Sequence, residues 1–398
     1  MNVFESLYEM TAIQGLIDSP GTIIMYGIGI LLLYLGIRKD YEPLLLVPIG
    51  FGLILANSLG GNMAVVSNDE IEYLSIIQIA KEYGIMNMLY YMLIKTGLLP
   101  PIIFMGVGAL TDFGPMLRNL RLAFFGAAAQ IGIFSVFIVA IFAGFTPKEA
   151  GSLGIIGGAD GPTAIYTTIM LAPHLLGPIA VAAYSYMALV PVIIPLVVRF
   201  TTTKTELMIN MKEMDQQFPS KRPIKNLRRA KIIFPLVVGA IVALAVPSAV
   251  PLVGMLMFGN LIKEVGASTH RLHKEASGSI MNTATIFLGL TVGATMTADT
   301  FLNTQTLMII GGGFVAFAIS IAGGILAVKV YNVFNKKKIN PLIGATGLSA
   351  VPMASRVANE ISLKHDPNNH ILQYAMASNI SGVIGSAVAA GVLISMLG

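Results

Sequence analysis

An all-α polytopic membrane protein is the fold class this sequence predicts, on three observations. Of 398 residues 55% are hydrophobic and only 11% charged, with a mean hydropathy of +0.78, whereas soluble domains carry roughly 25% charged residues. Apolar runs near the ~20 residues that a bilayer requires recur throughout the chain. The charge that remains is concentrated, with nine of the 25 basic residues between Arg199 and Lys231. This segment divides the chain into an N-terminal membrane repeat, 1–198, a basic loop, 199–231, and a C-terminal repeat, 232–398. The positive-inside rule places the loop in the cytoplasm. The chain has no cysteine, which excludes disulfides and thiol chemistry, and its five histidines show no metal-ligand spacing. No phosphate-loop motif occurs, and nothing points to nucleic acid. The first twenty residues lack Lys and Arg, so no signal peptide is expected.

The apolar runs follow in order. Six fall in the first repeat, at 21–37, 41–58, 86–110, 119–145, 153–171 and 174–198. Six more fall in the second, at 232–247, 249–263, 279–297, 306–329, 340–357 and 370–396. Runs 153–171 and 340–357 combine glycine with proline, which breaks a helix and frees its carbonyls. If both enter and leave on one side, about ten crossings and two re-entrant segments result. Five crossings per half then force the halves into opposite orientations. Both termini fall outside, with Glu5, Glu9 and Asp18 and the loop of Asp69, Glu70 and Glu72. Short internal echoes agree with inverted repeats. Val47-Pro48 followed by Asn57 matches Val250-Pro251 followed by Asn260, and Ile103 to Gly106 matches Ile286 to Gly289.

Chemistry concentrates at the two broken runs. Asp160 sits in Gly154-Ile-Ile-Gly-Gly-Ala-Asp-Gly-Pro-Thr163, and a carboxylate at membrane depth costs at least about 2.5–3.5 kcal/mol, so it is usually tied to an ion or proton path. The second run offers Asn340, Gly344, Ser349 and Arg356, and the last apolar run offers Asn379 and Ser381. Carboxylate, amide, hydroxyl and carbonyl oxygens suit sodium, which makes Asp160, Asn340, Ser349 and the freed carbonyls the candidate ligands. Arg356 cannot bind a cation and suits an anionic substrate group. Each residue also has a plainer reading. Asp160 could cap a helix, Ser349 could bond its own helix, Asn379 a neighbouring one, Arg356 could pair with Glu360, and Asp112 is read as an interfacial turn residue.

GGADGPTAI at 157–165, GVGALTDFGP at 106–115, NPLIGxxGxSAVPMAxR at 340–356 and NxxGVIGSAVAAGVL at 379–393 resemble the β subunit of the biotin-dependent, sodium-pumping decarboxylases. That family serves oxaloacetate, methylmalonyl-CoA and glutaconyl-CoA decarboxylases, and the resemblance spans nearly the whole chain. It implies a bacterial inner-membrane subunit that decarboxylates carboxybiotin and moves Na+ outward while consuming a proton. It also implies a biotin carrier domain, a carboxyltransferase subunit, a small single-span subunit and a homo-oligomer as partners. Its ion-site residues fall on Asp160, Asn340 and Asn379, with Gly344, Ser349 and Arg356 also functional. Arg356, Asn340 and Gly344 would face the carboxybiotin, and Arg356, Ser349 and Tyr186 would act in catalysis, Tyr186 by moving a proton. Ala345 stands where the family pattern leads one to expect asparagine, so that position offers no side-chain ligand. Two other classes share these features: a sodium-coupled carboxylate symporter or Na+/H+ antiporter, and a membrane anchor for a soluble carboxyltransferase. The acyl substrate is not encoded here.

Overall fold

The computed structural model describes residues 19–58, 61, 63–66, 71–219, 224, 226–350 and 353–398, and these form helices without a strand. Glu5, Glu9, Asp18, Asp69, Glu70, Lys221, Arg222, Lys225, Val351 and Pro352 lie outside the described residues, as does the Glu72 side chain. In the first half we name α1 (Pro20–Arg38), α2 (Pro43–Ala56), α3 (Leu99–Leu110), α4 (Leu120–Ala129), α5 (Ile131–Phe142), α6 (Pro147–Gly154), α7 (Gly161–Leu171), α8 (Leu176–Ala188) and α9 (Val190–Thr201). The second half contributes α10 (Val250–Val265), α11 (Met281–Ala294), α12 (Thr304–Phe334), α13 (Met353–His365) and α14 (Leu372–Leu397).

Among the described residues five helices are long and apolar enough to cross a membrane: α1, the joined Leu120–Phe142, Pro247–Val265, α12 and α14. Two bent pairs raise the number to seven, Ile76–Ile94 with α3 at 64° and Pro173–Met187 with α9 at 68°. The chain is thus a multi-pass, all-helical membrane protein. Runs 86–110 and 174–198, which the sequence presents as single apolar segments, are therefore bent. Gly97 at φ +69° precedes Pro100-Pro101 at the first bend, and Pro191 opens α9 at the second. Apolar side chains cover the outside as well as the core. α1 exposes Ile23, Ile24, Ile30, Leu31 and Ile37 while burying Met25 and Leu32, as expected of a helix whose solvent is lipid.

The packing is reciprocal between halves. α2 lies on α11, and α3 lies on α10. Small residues permit the close crossings: Gly52 admits the Leu290 carbonyl, Gly108 that of Leu256 and Gly259 that of Met105. Two asparagines tie these pairs in the same manner. Asn57 at the end of α2 donates to the Met296 carbonyl at 2.7 Å and accepts from the Ala298 N–H at 3.1 Å, just past α11. Asn260 on α10 donates to the Gly108 and Thr111 carbonyls, at 3.3 and 2.9 Å, at the end of α3. Each closes carbonyls that a helix end leaves open.

Candidate functional site

The first break is built by its local sequence. Thr146 caps α6 with a reciprocal pair of bonds, accepting from the Glu149 N–H while Glu149 Oε2 accepts from the Thr146 N–H at 2.8 Å. After Gly154 the helix tightens into a 3₁₀ turn over Ile155–Gly158, and Ala159 turns left-handed at φ +55°. Asp160 then caps α7, its Oδ1 accepting from the Thr163 N–H at 3.2 Å. Pro162, in the first turn of α7, is pre-set for a helix start. Glycine is needed at 161 because a Cβ there would run into the ring of Tyr184.

The second break meets the first. The short helix Leu342–Ala345 ends at Thr346, and the chain runs on as non-helical backbone through Gly347 and Leu348. The Ser349 N–H donates to the Gly158 carbonyl at 3.0 Å, a main-chain bond between the two broken segments. The Ser349 hydroxyl donates to Asp160 Oδ2 at 2.8 Å, and Ser386 of α14 donates to the same oxygen at 2.8 Å. Asp160 is 5% exposed and these partners are neutral donors.

Two buried amides complete the surroundings. Asn379 of α14 donates through Nδ2 to the Leu348 and Ala350 carbonyls, at 2.8 and 3.3 Å, and so grips the backbone on both sides of Ser349. Gln130, at the joint of α4 and α5, donates through Nε2 to the Gly126, Gly347 and Gly382 carbonyls at 2.9, 3.3 and 3.4 Å. Carbonyls only accept, so the nitrogens must face them and each amide oxygen must face away. Among the described residues Asn379 Oδ1 and Gln130 Oε1 are buried without a donor, as is Thr163 Oγ1. Gln130 Oε1 lies beside Gly158, 3.6 Å from where a Cβ would stand, and the Ser386 Cβ is 3.1 Å from the same point. The turn therefore holds a carboxylate, two hydroxyls and bare amide oxygens, a donor set for a hard monovalent cation.

Asp160, Ser349 and Asn379 are thus brought together. The other expected residues sit elsewhere. Asn340 commits its Nδ2 to the Leu207 and Ile209 carbonyls at 2.9 and 3.1 Å and its Oδ1 to the Leu342 N–H at 3.0 Å, fastening the second break to the basic loop. Gly344 abuts Gly324 of α12, backbone to backbone. Tyr186 donates its hydroxyl to the Ile310 carbonyl and packs on Phe314 and Phe317. Arg356 is exposed on α13, with no hydrogen bond or ion pair to another described residue. Asp112 pairs with Lys231 at 2.5 Å and accepts from the Gly114 N–H at 2.9 Å. Sequence reasoning missed Gln130, and it gave no role to Ser386, which enters only within the 379–393 motif. Tyr184, to which the sequence reading gave no role, is the tyrosine whose buried ring lies on the Asp160 turn and whose hydroxyl finds no donor or acceptor among the described residues.

The family model described as Na+-transporting oxaloacetate decarboxylase beta subunit matches residues 21–397. The methylmalonyl-CoA decarboxylase subunit beta of Propionigenium modestum is 50% identical over 399 residues, covering 98% of both chains. The oxaloacetate decarboxylase beta chain of Haemophilus ducreyi is 44% identical over 423 residues, covering 95% of both. The methylmalonyl-CoA decarboxylase subunit beta of Veillonella parvula is 44% identical over 393 residues, covering 97% of this chain and 98% of its own.

Proposed function

Since this chain belongs to the Na+-transporting oxaloacetate decarboxylase beta-subunit family and is the membrane subunit of a sodium-pumping decarboxylase complex, we propose that it releases carbon dioxide from carboxybiotin and exports sodium from the Asp160 turn. One observation carries the reading: a buried carboxylate that both broken segments and α14 hold through neutral donors, in a turn where the amide oxygens of Gln130 and Asn379 find no donor among the described residues. A buried charge with only neutral partners is costly, and a cation held there offsets that cost. Asp160, Ser349 and Asn379 supply the sodium ligands, with Ser386 and Gln130 added to them. Asn340 acts by holding the second break against the loop that faces the carrier.

In the reaction the bond from the ureido nitrogen to the carboxylate carbon breaks and its electron pair stays on nitrogen. Carbon dioxide leaves and the nitrogen takes one proton. Arg356, free on α13, is suited to orient the carboxylate, and Tyr186 stands in the proton path. Sodium must bind one conformation more tightly than another, since equal affinities shift nothing. Each ion exported also works against the membrane potential, about 2.3 kcal/mol per 100 mV.

The same reading extends to topology and partners. The reciprocal helix pairs and the paired asparagines support two related repeats, which we take as inverted, with about ten crossings and two re-entrant segments; the basic residues of 199–231 support a cytoplasmic loop and, with five crossings per half, both termini outside. A biotin carrier domain, a carboxyltransferase and a small single-span subunit complete the complex in a bacterial inner membrane, with several copies of this chain. The test is carbon dioxide release from carboxybiotin by the purified membrane complex with and without sodium. Sodium-stimulated release that Asp160→Asn abolishes is expected, and release that ignores both sodium and the substitution would overturn the assignment.

A further inference from the structure

A cavity of about 560 Å³ opens between the start of α4, the loop helix Met211–Gln217 and the first turn of α14. Leu122, Phe218 and Ile339 give it apolar walls. Its charges do not balance. Asp215 is fully engaged, with Lys337 Nζ 2.6 Å from Oδ1 and the Tyr374 hydroxyl donating to Oδ2 at 2.7 Å. Arg118 and Arg121 also line the cavity, exposed and without a hydrogen bond or ion pair to another described residue. Three cations thus face one carboxylate that is already offset. A volume in the ~300–1,000 Å³ range with apolar walls and two free guanidinium forks suits a small ring system carrying one carboxylate.

The cavity also stands close to the ion turn. From Leu122 to Gln130 is eight residues along α4 and its joint, roughly 12 Å at ~1.5 Å per residue. Met211, in the cavity wall, accepts the Asn340 N–H on its sulfur at 3.4 Å, at the start of the second break. Arg356 is not part of this wall.

We propose that this cavity is where the carboxylated ring of carboxybiotin first docks, with Arg118 and Arg121 receiving its carboxylate before Arg356 orients it for decarboxylation, a proposal that rests on the decarboxylase reading above. The seat is distinct from the Asp160 turn, so binding of the ring and binding of sodium separate experimentally. The experiment measures carbon dioxide release by the purified membrane complex from free carboxybiotin over a range of concentrations, in neutral and in anionic lipid nanodiscs. The double variant Arg118→Gln, Arg121→Gln is expected to raise KM at least tenfold, equivalent to ~1.4 kcal/mol. The sodium concentration for half-maximal release, taken at saturating carboxybiotin, is expected to stay within twofold, which also certifies the fold. An unchanged KM in a variant that keeps its sodium response overturns the proposal. So does an effect confined to anionic nanodiscs, which would make the cavity a lipid headgroup site. Failure of the wild type to release carbon dioxide would instead fall on the decarboxylase reading.

Discussion

Alanine at position 344 separates a packing role for this glycine from a ligand role. A Cβ on Gly344 would stand 2.5 Å from the Gly324 carbonyl carbon and 2.8 Å from Val328 Cγ2. Carbon atoms settle at roughly 3.5–4.0 Å, so the second break and α12 must part by about 1 Å. Overpacking of this kind costs about 1–3 kcal/mol. Gly311 on the same α12 has nothing within 4 Å of its Cβ position, and a Gly→Ala change in a helix interior gains about 0.5–1 kcal/mol. The two variants are therefore expected to differ by roughly 1.5–4 kcal/mol, with opposite signs relative to the parent. Thermal unfolding of the purified subunit in one detergent reads the stability, and sodium-stimulated carbon dioxide release reads the site. Gly344→Ala should lose stability and sodium affinity together, because Ser349 lies five residues further along the same segment. Equal stability of the two variants, or a loss of sodium response in Gly344→Ala with stability intact, would refute the packing argument.

Two further outcomes follow from particular bonds. Asn57→Ala and Asn260→Ala each strip the donor from buried carbonyls of the opposite half, at a cost of about 1–3 kcal/mol apiece; similar losses in thermal stability are expected, and indifference to one with collapse of the other would argue against reciprocal halves. Burial alone would raise the Glu149 carboxyl, but hydrogen bonds from His174, Thr146 and Gln305 outweigh it and hold the group down at about 2. Its ordinary value is 4.5, so the stability it contributes is fully present above that pH and fades as pH falls through about 2. An unfolding series between pH 2 and 6 should therefore be flatter in Glu149→Gln, and identical acid limbs would discard the linkage.

The site was legible in proportion to how much of it is local. Asp160 announces itself, because a carboxylate among glycines in an apolar run is too costly to keep unless an ion, a proton or a partner charge offsets it. Ser349 was offered by the hydroxyl it brings to the second broken run and Asn379 by resemblance, but nothing in the spacing from 160 to 349 or 379 says that those segments touch. Gln130 was readable in principle, a lone amide in the apolar run 119–145, yet only the fold reveals that its nitrogen reaches three glycine carbonyls. Tyr184 and Tyr186 show the opposite difficulty. Two residues along a helix rotate a side chain by roughly 200°, so the choice between the Asp160 turn and α12 depends on how α8 is turned. Asn340 carries the right oxygen, but an amide binds backbone as readily as an ion, and here three backbone groups occupy it. Helix bends at Gly97 and Leu189 were similarly hidden, since apolar runs count length and are blind to direction.

The exchange of helices between halves also sets a timetable for biosynthesis. The partner of α2 is α11, whose last residue lies 238 positions beyond Ala56 (294 − 56). A ribosome adding ~5–20 residues per second leaves that face waiting for roughly 12–50 s. During this interval the notch at Gly52 has no Leu290 to fill it, and the end of α3 has no Asn260 until α10 emerges. Neither half is a finished product alone. A nascent chain stalled in the 199–231 loop would hold two helices with their small-residue faces turned to lipid or to the insertion machinery, a substrate for membrane quality control.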